Sequence, residues 1–257
     1  MIFFLYSYIF IIGLVLGSFF NVVGLRVPNN ESIVRPRSAC PNCHQTLTPL
    51  QLIPVVSYLL QRGKCRTCQL RISPIYPSIE LTSGLLFVAA SFVVGWRLEL
   101  FIAWTFISLL MIIFVSDIKY MIIPDKVLAI FAVLLLVERL SLSPLTPWWD
   151  SFLGAAVGII LLMTIIVVSK GGMGGGDMKL FGVIGIVLGW KLVLVAFFLS
   201  TVIGTLVATI GLLIGKVKRK QPFPFGPSIV CGSLLTYFYG EKIIGWYLGF
   251  FTNGFYL

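Results

Sequence analysis

The first 25 residues of this chain, Met1 through Leu25, carry no charged side chain. About 20 apolar residues suffice to cross a hydrocarbon core. The segment has no basic start and no small-residue cleavage signature. It therefore reads as a retained transmembrane helix over 1–24, not as a signal peptide. Further apolar runs follow near 79–96, 99–116, 124–141, 151–169, 178–190, 192–214 and 226–250. Lipid cannot satisfy backbone N–H and C=O groups, and the alternation expected of a barrel is missing, so helices are predicted throughout.

Composition supports this reading. Of 257 residues, 58% are hydrophobic and 11% charged, with mean hydropathy +1.03. Soluble domains carry about a quarter charged residues. One soluble core of this size cannot hide so much apolar surface, which excludes a soluble enzyme, a secreted domain and a disordered chain. The expected fold class is an all-α polytopic integral membrane protein of about eight transmembrane helices. A polar loop over 25–78 separates the first helix from seven more over 79–257.

The net charge is +10, from 19 Lys and Arg against 9 Asp and Glu. The cations sit between apolar runs, so the positive-inside rule explains them and no nucleic-acid partner is expected. With the 25–78 loop inside the cell, 15 of the 19 cations lie inside, among them the Lys216–Lys220 cluster. That orientation predicts an even number of spans with both termini outside.

Four of the five cysteines lie in the loop, as Cys40-Pro-Asn-Cys43 and Cys65-Arg-Thr-Cys68, 21 residues apart. Paired C-x-x-C knuckles at this spacing predict one closed tetrahedral Zn2+ site of structural type. A loop this short lacks a core and needs such a staple. A reducing cytoplasm argues against lasting disulfides. His44 is expected beside the site rather than on the metal, and Cys231 as an ordinary small buried residue of the last span.

Acids near lipid are functional candidates. Glu99, Glu138, Asp150 and Glu241 fall at predicted outer ends, where solvation is easy. Glu31 sits in the loop, and Glu80 at its junction with the second span. Asp117, Asp125 and Asp177 all lie at inner ends. Asp177 follows Gly171-Gly-Met-Gly174-Gly175-Gly176, glycines expected to allow positive φ and a close approach of a substrate strand. Two carboxylates from different helices can share one proton, so that one activates water and the other protonates the scissile carbonyl. The plainer reading makes Asp125 and Asp177 helix N-caps and Asp117 a snorkelling carboxylate.

Taken in order, these motifs resemble the type IV prepilin peptidases, which are leader peptidases and N-methyltransferases. The similarity runs through Gly17-Ser18-Phe19-Phe20-Asn21 with Arg26 and Pro28, the cysteine knuckles, Ile72-Ser73-Pro74 to Glu80, Ile123-Pro124-Asp125, Gly174-Gly175-Gly176-Asp177 and Phe225-Gly226-Pro227. The resemblance implies Asp117 and Asp177 as the catalytic pair of a G-x-G-D intramembrane protease. Gly174, Gly175 and Gly176 would then form the active-site loop of a catalytic domain over 79–257. It implies pilin-like or pseudopilin precursors as substrates, cut after a short leader at the cytoplasmic face of the bacterial cell membrane. It also implies S-adenosylmethionine as methyl donor, although no donor site can be read from the residues. Glu80, Asp125 and Lys179 are carried over as residues for substrate or methyl transfer. Lys119 stands where many members carry a second acid. The alternatives are a related protease without methyl transfer, a membrane scaffold of a secretion or competence machine, and a cation transporter.

Overall fold

A computed structural model describes residues 2–170, 172–215 and 223–253. Gly171 and the Lys216–Lys220 cluster lie outside the described residues. The long helices are α1 (Ile2–Arg26), α3 (Ile75–Val94), α4 (Glu99–Tyr120), α5 (Asp125–Ser141), α6 (Asp150–Val168), α7 (Gly175–Leu213) and α8 (Gly226–Asn253), with a short α2 (Val56–Leu60) in the polar loop. Among the described residues, five helices are long and apolar enough to cross a membrane: α1, α3, α4, α6 and α7. The chain forms two compact units, Met1–Tyr120 and Met121–Leu257.

In the first unit α1, α3 and α4 pack on one another. Glycines set the closest approach. A methyl group on Gly13 would meet the Gly84 Cα at 2.7 Å, and one on Gly17 would meet the Glu80 Cα at 2.8 Å. Gly13 and Gly17 form a G-x-x-x-G stripe, the small-residue pattern that lets helices in lipid touch backbone to backbone. This contact places Glu80 against α1. The third helix begins at Ile75, four residues ahead of the apolar run expected from 79. Pro77 falls in its first turn, where a missing N–H costs nothing. Glu99 in the first turn of α4 and Lys119 in its last complement the helix dipole.

In the second unit α7 packs against α5, α6 and α8. Its 39 residues are not one rod, because Gly189 has φ 79° and ψ 173°. Only glycine adopts that conformation readily. Phe181 and Phe197 lie eight residues either side of it, and their rings meet edge to face at 5.8 Å. On a straight helix those residues would stand ~24 Å apart. The two arms of α7 therefore fold back on each other, matching the separate runs expected over 178–190 and 192–214.

The fold-back is held by two charged side chains expected in solvent. Arg139 of α5 is 5% exposed. Its Nε donates to the Val187 carbonyl at 2.9 Å and its Nη1 to the Ser143 carbonyl at 3.2 Å. Asp150, at the start of α6, accepts from the Trp190 N–H at 3.3 Å. These groups take up a carbonyl and an N–H that the broken helix leaves over. Gly154 and Gly158 of α6 let that helix lie directly on the Gly185 and Phe181 backbone of the first arm.

Candidate active site and metal centre

The two cysteine knuckles have one geometry. In each, the first Cys N–H pairs with the carbonyl five residues on, Cys40 with Gln45 at 3.0 Å and Cys65 with Leu70 at 2.9 Å. In each, the residue after the second Cys is left-handed, His44 at φ 54° and Gln69 at φ 58°. Bridges Ala39–Thr46 and Lys64–Arg71 close the knuckles. The four Sγ atoms lie within 4.8 Å of one another, with Cys40–Cys68 at 3.7 Å and Cys43–Cys65 at 3.9 Å. Four thiolates set ~2.3 Å from a tetrahedral centre stand about 3.8 Å apart, so the cluster fits a metal ion. His44 is exposed and outside the cluster, and Cys231 of α8, expected to be buried, is exposed.

The thiols differ in acidity. The Leu70 and Asn42 hydrogen bonds draw Cys68 down to about 6. Backbone N–H groups of Cys68 and Thr67 also lower Cys65. Gln45 pulls Cys43 down too, but desolvation and the neighbouring thiols outweigh it and push it up to about 11.

Asp117 occupies the last turn of α4 in the first unit and is 5% exposed. Lys119, two residues on, is exposed. Side chains two apart on a helix do not face each other, so this cation points away from Asp117.

Asp177 belongs to the second unit. Gly174 is the N-cap of α7, which puts Gly175, Gly176 and Asp177 in its first turn. Asp177 is thus the third helical residue rather than the cap itself. A carboxylate there meets the positive end of the helix dipole. No described glycine of the run has a positive φ, contrary to expectation. Gly174, Gly175 and Gly176 are spent on starting the helix. The close approach seen at Gly176 is to the chain's own Ile123, whose Cβ a methyl group would meet at 3.0 Å.

Asp125 is the first residue of α5, capped by Pro124 rather than capping it. Both its carboxylate oxygens accept from Lys179 Nζ, at 2.8 and 2.7 Å. The first turn of α7 is thereby tied to the start of α5 twice, through Gly176 on Ile123 and Lys179 on Asp125.

Glu80 accepts from the Val55 N–H at 2.7 Å. Val55 has φ 60° and ψ −51°, a rare conformation for a β-branched residue. Sequence reasoning gave Asn21 no role beyond the opening motif. It is 4% exposed, and its Nδ2 donates to the Tyr76 carbonyl at 3.2 Å. Its Oδ1 is buried without a partner. A lone amide inside an uncharged run was the available signal.

Residues 11–94 match the Bacterial Peptidase A24 N-terminal domain, and residues 104–209 match the Type IV leader peptidase family. A protein of Bacillus subtilis named prepilin leader peptidase/N-methyltransferase is 49% identical over 94% of this chain and 97% of its own length. Proteins with the same name from Pseudomonas aeruginosa and Neisseria gonorrhoeae are 30% and 31% identical. They align over 93% of this chain, and over 92% and 93% of their own lengths. No solved structure matches the chain.

Proposed function

The chain belongs to the type IV leader peptidase family, and from that premise we propose that it removes the leader of prepilin-like precursors and then methylates the new N-terminus. The observation that carries this reading is the near full-length likeness to the Bacillus subtilis peptidase/methyltransferase. The carboxylates behind it are Asp117, buried at the end of α4, and Asp177, in a glycine-built first turn. In the cleavage step one ionised carboxylate takes a proton from water, whose oxygen adds to the scissile carbonyl carbon. The other, protonated, donates to the carbonyl oxygen. The adduct collapses with loss of the C–N bond, and the leaving nitrogen takes a proton. Gly174, Gly175 and Gly176 leave the approach to Asp177 free of side chains. The Asp125–Lys179 pair fixes the turn.

Methylation uses S-adenosylmethionine. The amine lone pair forms a bond to the methyl carbon, the electrons of the broken C–S bond return to sulfur, and the nitrogen's proton goes to solvent. The four thiolates hold Zn2+, which fits their number and spacing. On this reading the chain crosses the cell membrane eight times, counting the arms of α7 separately, with the zinc loop and both aspartates on the cytoplasmic side, which the excess of cations between those runs supports.

Mass spectrometry of a pilin-like precursor incubated with the purified protein and S-adenosylmethionine tests this. Wild type should remove the leader mass and add one methyl group. Asp117→Asn and Asp177→Asn should each abolish cleavage. Unchanged cleavage in both variants would overturn the assignment of the pair.

A further inference from the structure

The short helix α2 in the cysteine loop is turned inside out. Val56, Leu59 and Leu60 stand at i, i+3 and i+4, which puts them on one helical face. That face is open, with the three residues 47%, 67% and 73% exposed. Ser57 and Tyr58, with the C-cap Gln61, turn the other way and line the cavity beneath the loop. Tyr58 Oη also donates to the Ile72 carbonyl at 3.5 Å. A helix on a water-facing surface has the reverse arrangement, apolar side in and polar side out. Leu50 and Ile53, just ahead of α2, are exposed as well. Apolar side chains left open together mark a contact surface for a protein or a membrane.

Depth decides between the two. The Val55 N–H at the start of α2 is bonded to Glu80. From Ile75 to Glu80 α3 has already risen ~7.5 Å. Gly17, which packs on the Glu80 Cα, lies ~14 Å along α1 from the end of that helix at Arg26. Both α1 and α3 are long and apolar enough to cross a membrane. Val55 is thus drawn level with the body of two spans, not held beyond their ends. Phe19 of α1 and Leu81 of α3, near the same level, are exposed apolar side chains, so lipid already meets the protein at this depth.

We propose that α2 is an interfacial anchor, its Val56, Leu59 and Leu60 face lying in the headgroup and acyl boundary of the leaflet from which the loop emerges. Helices of this kind bury an apolar side about 5–10 Å into that boundary and keep cations beside it. The cations follow at once. Arg62, Lys64, Arg66 and Arg71 are all exposed, and Glu31 is the one acid of the sequence over 26–74. Long basic side chains reach lipid phosphates from such a position. A second copy of the chain would bring the same cations to the contact, where like charges oppose it. The anchor gives the metal loop a third hold on the bilayer, between the two spans that tether its ends.

The test keeps the full-length, metal-loaded protein in vesicles of phosphatidylethanolamine and phosphatidylglycerol. Photoreactive p-benzoylphenylalanine replaces Leu59, Leu60 or, as a control on the second knuckle, Thr67, one at a time. Illumination should attach lipid at positions 59 and 60 and none at 67, with metal content unchanged. Should a substituted protein lose its metal, the unsubstituted one decides. A phospholipid with a diazirine in its acyl chain should label its 50–61 peptide, and Leu59→Ser with Leu60→Ser should remove most of that label. Crosslinks from 59 and 60 to a second copy or another protein, an unlabelled 50–61 peptide, or equal lipid labelling at 67 would each overturn the anchor.

Discussion

Glu80 and Asp125 both make contacts of 2.7 Å, one to a backbone N–H and one to a lysine. Their settings differ. Glu80 is 8% exposed and holds the strained backbone of Val55. The Asp125 and Lys179 side chains are 66% and 51% exposed. Length alone would rank the contacts equal, and a formal ion pair would rank second place for Glu80. Solvent reverses the order. Water competes for an exposed pair and salt screens it. A buried acceptor facing a half-buried N–H has far less water to substitute for it.

The largest effect expected comes from the metal on the Glu80 side. Chelation, or Cys65→Ser, should open residues 25–74 to proteolysis while α4 to α8 keep their helical signal. Such small loops fold with their metal. A loop equally resistant after chelation would break the view that metal organises this region. Next comes Glu80→Leu, which strands the Val55 N–H and should lower stability by about 1.5–3 kcal/mol, read as a drop in unfolding midpoint. Val55→Gly relieves the left-handed backbone and should raise stability by about 1 kcal/mol. Lys179→Ala should cost no more than about 1 kcal/mol, and that cost should fade in high salt. A larger, salt-insensitive loss would place the pair in a drier setting than its exposure indicates.

Acidity sharpens the metal comparison. Cys43, pushed up to about 11, still holds its proton at neutral pH in the metal-free loop. Metal must displace that proton, so binding should release protons and tighten as pH rises. Cys68, drawn down to about 6, is already a thiolate at neutral pH and protonates only in acid. Metal affinity should therefore fall steeply as pH drops through about 6. Metal titrations in buffers of different ionisation enthalpy read both effects.

Much of this was legible in the sequence because it rests on counting. Apolar run length located the helices, and the spacing of two C-x-x-C pairs located the four-cysteine cluster. The Gly-Asp motif located the start of α7. What escaped depends on tertiary packing. Arg139 and Asp150 look like solvated ends in one dimension, yet they secure the fold-back at Gly189. The glycines before Asp177 were expected to adopt positive φ but serve as cap and first turn. Glu80 could be placed only at the junction of loop and span, because nothing in sequence reveals that Val55 turns its N–H toward it. Asn21 was visible as a letter, but only burial shows that its oxygen lacks a donor.

The break at Gly189 has a mechanical consequence for the bilayer. The arm that carries Asp177 in its first turn spans residues 175–188, fourteen in all, and rises ~21 Å. A hydrocarbon core is about 30 Å thick. Set across it, this arm is too short, and lipid must thin or water descend to close a hydrophobic mismatch of about 9 Å. The mismatch would fall on the arm that carries Asp177, the acid proposed above to act with water. Prolonging the first arm by one turn would relax the membrane there and leave Asp177 drier.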